Sequence, residues 1–118
     1  MSYVKQPFQR MSGQATSVAA GTIVSIEDVP TRGYILRFHV NLASGSGATV
    51  APVLSEDASV ASGIKEVVSH TAIAHVDSTP SSPIPYVATG TTLYLKPVPN
   101  AGSDNVVDYA IDIWPGEL

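Results

Sequence analysis

The chain of 118 residues contains no cysteine, and this absence excludes disulfides, thiolate–metal sites and catalytic cysteine chemistry. No apolar run approaches the roughly 20 residues that a helix needs to cross a bilayer, so we expect no membrane partner. The first residues also lack the apolar segment of a signal peptide. We therefore expect a protein that is made and folded in a cytoplasm and whose length fits one domain.

Charged side chains are scarce, since they make up only 14% of the residues, and they are unevenly placed. Residues 1–14 hold Lys5 and Arg10 and no acidic residue, whereas the rest of the chain holds four basic and ten acidic residues. A domain this acidic repels phosphate backbones, so we expect no nucleic-acid partner. The low charge content fits a surface that other subunits cover in part. It fits equally well a surface made soluble by Ser, Thr, Asn and Gln.

Composition and periodicity both predict an all-β protein. Val and Ile together number 23 against six Leu, which favours strands over helices. Alternation is clearest in residues 106–114, where one side of a strand is apolar and the other acidic or small. That apolar side consists of Val107, Tyr109, Ile111 and Ile113. In residues 34–42 the same rule assigns an inward face to Tyr34, Leu36, Phe38, Val40 and Leu42, with Arg37 and His39 outward.

Turn signals divide residues 15–118 into about eight strands and at most one short helical turn, at residues 55–63. This pattern predicts a single antiparallel β-sandwich domain that is jelly-roll-like, with an immunoglobulin-like sandwich as the alternative. We expect residues 66–76 to form one strand and the last two strands to form a hairpin. Residues 1–14 show no period and predict an extended N-terminal arm that contacts a partner. A frayed terminus or a first edge strand is the alternative for this segment.

The polar residues form no recognisable catalytic or metal-binding motif. There is no Gly-x-Ser-x-Gly, and Ser69-His70 followed by Asp77 is a coincidence expected in a serine-rich chain. The three histidines lack the spacing of a zinc site, and the acidic pairs lack the EF-hand pattern. We therefore expect no enzymatic activity, no metal and no cofactor.

Two groups of residues are candidates for binding a partner. The first group lies in the arm and consists of Tyr3, Lys5, Phe8 and Arg10. The second group is Tyr94 and Trp114, which are opposite in parity to their apolar neighbours and are therefore expected to face outward. Exposed aromatic side chains serve in protein interfaces and as platforms on which sugars stack. The alternative for Trp114 is that it folds back with Pro115 and covers the edge of the sheet.

The chain resembles small all-β structural proteins of tailed bacteriophages, in particular head decoration (cement) proteins. The resemblance covers residues 15–118 and rests on Val/Thr/Ser/Gly-rich strands, the lack of cysteine and the aperiodic arm. It also rests on Thr92-Leu-Tyr-Leu-Lys-Pro followed by Gly102-Ser-Asp-Asn-Val-Val-Asp-Tyr. It implies a non-enzymatic virion protein that forms a homo-oligomer, often a trimer, and stabilises the lattice of the major capsid protein. The arm would then lie across neighbouring coat subunits.

The alternative function, from a different class, is that of a carbohydrate-binding module, for example on a tail fibre or baseplate. Such a module would bind a surface glycan through Trp114 and Tyr94. Polar groups on an outer face, such as Arg37, His39 and Asn41, would supply hydrogen bonds to the sugar.

Overall fold

The computed structural model describes residues 9–61, 63, 65–78, 84–88 and 90–115, and these contain nine strands and no helix. The strands are β1 (Gln9–Val18), β2 (Val24–Ile26), β3 (Arg32–Ser44), β4 (Val53–Ser55), β5 (Glu66–Ser69), β6 (His75–Ser78), β7 (Ile84–Val87), β8 (Leu93–Lys96) and β9 (Asn105–Trp114). In that part of the chain, no helix is available that could cross a membrane.

The strands form two antiparallel sheets. In sheet A the order is β1-β9-β3, and β6 and β7 both pair with the far side of β3. In sheet B the order is β2-β8-β4-β5. The chain therefore passes repeatedly from one sheet to the other, and apolar side chains from both sheets meet between them.

The pairing follows one rule, which is that of a long antiparallel ribbon folded over at its middle. β4 pairs with β5, β3 with β6 and β7, β2 with β8, and β1 with β9. Successive pairs of the ribbon belong alternately to sheet B and sheet A, and this winding is the jelly roll. The predicted antiparallel sandwich of jelly-roll type is confirmed. β6 and β7 share one place in the strand order and pair with successive stretches of β3.

The core contains the side chains that alternation places inward on the longer strands. The largest fully buried side chains are Phe38, Ile35, Leu54, Leu93, Leu95, Ile111, Ile113, Val18, Val40, Val50, Val76 and Val107. On β9 the prediction is right for Val107, Ile111 and Ile113, while Tyr109 is half-buried and packs against the margin of the core. On β8 it is right for Leu93 and Leu95.

The inward face predicted for the start of β3 is wrong. The register with β9 shifts between Ile35 and Arg37, which is a β-bulge. Because the extra residue reverses the alternation, Ile35 is fully buried, whereas Tyr34 and Leu36 are only half-buried. From Phe38 onward the predicted faces hold, since Phe38 and Val40 are buried.

Two predictions about strands that are neighbours in sequence are also wrong. β8 and β9 do not form a hairpin, because β8 lies in sheet B and β9 in sheet A. Residues 66–76 do not form one strand, because β5 ends at Ser69 in sheet B and β6 begins at His75 in sheet A. At residues 55–63 the described chain makes a turn, in which the Asp57 N–H donates to Ser55 Oγ at 3.0 Å. The predictions of the hairpin and of the single strand are wrong for the same reason, which is that a crossing between sheets does not change the local periodicity of the sequence.

A buried asparagine at the start of β9 joins three segments at one end of the sandwich. Asn105 is fully buried. Its Nδ2 donates to the carbonyl oxygens of Val18 at 2.8 Å and Ala101 at 2.9 Å, and its Oδ1 accepts the Gly47 N–H at 2.9 Å. Gly45 adopts a φ of 119° beside it, a conformation that is almost restricted to glycine. The side chain therefore closes the loop after β3 onto the end of β1.

Candidate functional site

The outer face of sheet A, hereafter the A-face, carries aromatic, charged and polar side chains of the kinds that bind partners. Strand pairing sets them in rows that run across β1, β9, β3 and the β6/β7 edge. The A-face consists of Arg10, Ser12, Gln14, Tyr34, Arg37, His39, Asn41, His75, Pro85, Asp108, Ala110, Asp112 and Trp114. Neighbouring side chains in a row lie about 5 Å apart, so each row acts as one patch.

An aromatic row lies at one end of the A-face. Trp114 pairs with Tyr34, and Tyr34 pairs on its other side with Pro85. The Tyr34 and Trp114 rings are stacked, with centroids 5.5 Å apart and an angle of 26° between their planes. Trp114 keeps 37% of its surface exposed although Tyr34 covers part of it. The row is therefore a rigid apolar patch, which is the kind of surface that anchors interfaces.

Backbone packing holds this row in place. A Cβ on Gly33 would lie 2.6 Å from the Trp114 carbonyl oxygen and 3.2 Å from the Pro115 Cα. Only glycine allows the ends of β3 and β9 to approach so closely. Trp114 does not fold back over the sheet edge, because it stacks on Tyr34 in the middle of the row.

A charged row lies beside the aromatic row. Arg10 and Asp112 form a bidentate ion pair, with Nε donating to Oδ1 at 2.7 Å and Nη2 to Oδ2 at 2.9 Å. Arg37 pairs with Asp112 from the other side in the register of β3. The hydrogen bonds from Arg10 lower the pKa of the Asp112 carboxyl, and the positive charges of Arg10 and Arg37 lower it further, against the opposing effect of burial. Asp112 therefore remains charged while almost covered.

This ion pair predicts a specific dependence of stability on pH. Because the folded pKa of Asp112 lies below its unfolded value of about 3.9, the stability it contributes is present above that value and is lost as pH falls through the folded pKa. We expect Asp112→Asn and Arg10→Gln each to lose less stability than the parent between neutral pH and pH 3. The double variant should lose about as much as either single variant.

Thermal unfolding at a series of pH values measures this effect. Some dependence must remain in every variant, since hydrogen bonds from the Ser46 N–H and hydroxyl also lower the pKa of Asp104. Additive changes in the double variant would show that Arg10 and Asp112 act independently, contrary to the geometry.

The remaining rows of the A-face are polar and small. Ser12, Ala110 and His39 form one row, and Gln14, Asp108, Asn41 and His75 form the next. Gln14 Nε2 donates to Asp108 Oδ1 at 2.7 Å, so this carboxylate is also bound within the face. The carboxylates of Asp108 and Asp112 are thus both held by hydrogen bonds inside the protein.

The structure brings together some of the predicted binding residues and separates others. Arg10 and Trp114 lie in adjacent rows of the A-face. Tyr94 points outward as expected but belongs to β8 of sheet B, on the opposite side of the sandwich, and is half-buried. Residues 9–14 of the predicted arm belong to β1, an edge strand. The predicted binding residues Tyr3, Lys5 and Phe8 lie outside the described part of the chain.

Tyr34 is a member of the aromatic row that sequence reasoning missed. Alternation assigned its side chain to the core, and only the bulge in β3 places it beside Trp114. A bulge is defined by the pairing of two strands, so the sequence around Tyr34 carried no signal of this position.

A shallow cleft of about 490 Å³ lies on the outer face of sheet B. Lys96, Val53 and Ser69 form a row across its floor, and Glu66 accepts a hydrogen bond from Ser69 Oγ at 2.8 Å. Val60 and Val98 line it with φ values of 46° and 49°, which are rare for β-branched residues. Across the described ranges, no three His, Asp or Glu side chains lie close enough to hold a metal ion.

No family model and no curated protein matches the chain. The fold defines the class of protein, a single jelly-roll sandwich, and its surfaces carry the remaining information about function.

Proposed function

We propose that the protein is a non-enzymatic structural protein of a virion. In this role it decorates a capsid, associates with itself and stabilises the lattice of the major capsid protein. The observation that carries the proposal is the A-face, where an exposed, stacked aromatic row adjoins charges that are already paired. Jelly rolls are common among viral capsid and lectin domains, so the fold class supports an assembly or recognition role without choosing between them.

The paired charges support permanent attachment to another protein. Covering a free charge is costly, whereas Asp112 already accepts two hydrogen bonds from Arg10 within the protein. A coat subunit could therefore cover the row without leaving an unpaired carboxylate beneath it. The adjacent aromatic row supplies apolar area for the contact.

The point at which the chain enters sheet A supports a role for the N-terminal segment in the same contact. β1 begins at Gln9, which pairs with Ile113, the residue before Trp114. The chain therefore enters sheet A at the corner that holds the aromatic row. A partner bound there could contact both the preceding residues and the A-face.

Binding to capsids tests the proposal. We expect the protein to bind expanded capsids of the phage that encodes it, and Trp114→Ala to weaken that binding at least tenfold, because truncating an interface tryptophan removes a main anchor. Tyr94→Ala is the matched control, since this aromatic faces outward from sheet B. Co-sedimentation with capsids that lack the protein measures both variants.

Equal losses for the two variants, or no binding by the parent protein, would contradict the proposal. Removing residues 1–8 tests the arm without touching β1, whereas removing residues 1–14 would delete more than half of that strand. Weaker binding by the shorter truncation, with unchanged thermal stability, is expected.

A carbohydrate-binding role is the second candidate, and the same aromatic row favours it. Tyr34 stacks on the Trp114 indole, which keeps 37% of its surface exposed, and a sugar ring could stack on that exposed part. Glycan-array binding that disappears in Trp114→Ala, together with no affinity for capsids, would favour this role over decoration.

A further inference from the structure

We propose that β1 is the edge through which two copies of this chain associate, by antiparallel pairing of β1 with β1 across a two-fold axis. The inference rests on the proposed function, because it names the surface used for self-association. It concerns the edge of sheet A and leaves the A-face open for a capsid.

β1 is a long strand with one side unpaired by any strand of the described chain. It runs for ten residues and pairs with β9 alone, at the end of sheet A. Its register with β9 is regular from Gln9 to Ala15 and shifts only between Ala15 and Val18. Seven consecutive residues therefore present a regular ladder edge, which is a template for another strand.

The devices that normally protect such an edge are missing from this strand. β1 contains no proline and no lysine. Its one charged residue, Arg10, is held by Asp112 within the sheet. The bulge near Ser17, which has a φ of 53°, affects only the end of the strand. With respect to the described residues, the edge from Gln9 to Ala15 is thus open to pairing.

Apolar side chains line the same margin of the sandwich. Met11 and Ala15 of β1 and Val24 of β2 pack against the core while remaining partly exposed, as does Tyr109 of β9. β2 is one of the two edge strands of sheet B and follows β1 after a short turn, so the edges formed by β1 and β2 lie on one side. A strand added to β1 would cover part of this apolar margin as well as the free ladder edge.

The length of the edges identifies the occupant as a second β1. The other edge strands are short: β2 has three residues, while β5, β6 and β7 have four each. β7 also contains Pro85, which has no N–H to donate. Among the described strands, only another β1 offers a matching edge of equal length.

Two-fold pairing is compatible with the side chains and closes the assembly. With the axis at Ser12, Ser12 lies opposite its counterpart and Arg10 lies opposite the uncharged Gln14 of the second copy, so no like charges meet. An isologous contact uses each edge once and cannot continue into a fibre. The expected species is a dimer, in place of the trimer that the family resemblance implies.

Ser12 provides the test because it is exposed and would lie beside its counterpart near the axis. The full chain should sediment as a dimer, and Ser12→Lys and Ser12→Glu should each raise the dissociation constant at least tenfold by placing like charges opposite one another. An equimolar mixture of the two variants should restore dimers. Ser103→Lys, in the exposed loop before β9 and away from the proposed axis, is the matched control and should remain dimeric.

Analytical ultracentrifugation, with thermal unfolding to show that each variant folds, gives the readout. A monomeric parent across the micromolar range, or an oligomer that neither Ser12 variant changes, would overturn the inference. Failure of the proposed function looks different: the parent would dimerise through Ser12 and yet bind no capsid. If the parent binds capsids but neither Ser12 variant changes its oligomeric state, the β1–β1 dimer is wrong and the proposed function stands.

Discussion

Asn105→Leu is expected to lower the free energy of unfolding by about 3 kcal/mol, because it leaves buried polar groups without partners. Leucine has a similar volume, so little of the loss comes from a cavity. The variant removes the two hydrogen bonds that Nδ2 donates to Val18 and Ala101, and the one that Oδ1 accepts from Gly47. The Val18 carbonyl is the most affected, since its bond to Asn105 is buried.

Asn100→Leu is the matched control for this prediction. Asn100 Oδ1 accepts the N–H groups of Ala48 at 2.7 Å and Thr49 at 3.1 Å, but this side chain is exposed and water can replace it. We expect a loss of about 1 kcal/mol, measured by denaturant unfolding. Equal losses for the two variants would show that burial of Asn105 has no special importance.

Asn105→Asp tests the same site through the direction in which stability changes with pH. In Asn105→Asp a carboxylate would face two carbonyl oxygens in a buried site, so its folded pKa should rise above the unfolded value of about 3.9. The acid form is then favoured in the folded state. The stability deficit relative to the parent should be smallest at low pH and should grow as pH rises.

Gly33→Ala is the second change with a large expected effect. The added methyl group would meet the Trp114 carbonyl oxygen at 2.6 Å, and backbone cannot move aside as a side chain can. Overpacking of this kind costs about 1–3 kcal/mol. We also expect the end of β9 to shift, which would disturb the stacking of Trp114 on Tyr34.

Two other glycines provide controls for Gly33. A methyl group added at Gly21 would have nothing within 4 Å, so Gly21→Ala should be nearly neutral. At Gly13 the nearest atom is the Tyr109 hydroxyl at 2.5 Å, which is the far end of a side chain, so Gly13→Ala should fall between the two. Denaturant unfolding ranks the three variants, and Trp114 fluorescence should change only in Gly33→Ala. A neutral Gly33→Ala would mean that the strand ends separate easily.

The features that depend on local alternation could be predicted from the sequence. Leu93, Leu95, Ile111 and Ile113 are buried as expected, because each strand is regular there and one face meets the core. The bulge at the start of β3 could not be predicted, because a one-residue shift is defined only by the register with a partner strand. The crossing from β8 to β9 depends on the winding of the whole ribbon in the same way.

The candidate surface shows the same division between local and distant information. That Trp114 faces outward follows from alternation, because the neighbouring Ile113 faces the core. That it lies near Arg10 follows only from the pairing of β1 with β9, which joins residues about a hundred positions apart. Asn105 gave no signal of its importance either, because the same residue type is common in exposed turns.

The winding of the ribbon has a consequence for synthesis of the protein. β9 lies between β1 and β3, and β8 lies between β2 and β4. When only β1 to β7 of a nascent chain have emerged from the ribosome, each sheet therefore still lacks an interior strand. The strand edges that β8 and β9 later pair with stay unpaired until these strands emerge. Chaperones are expected to bind the nascent chain mainly during that interval.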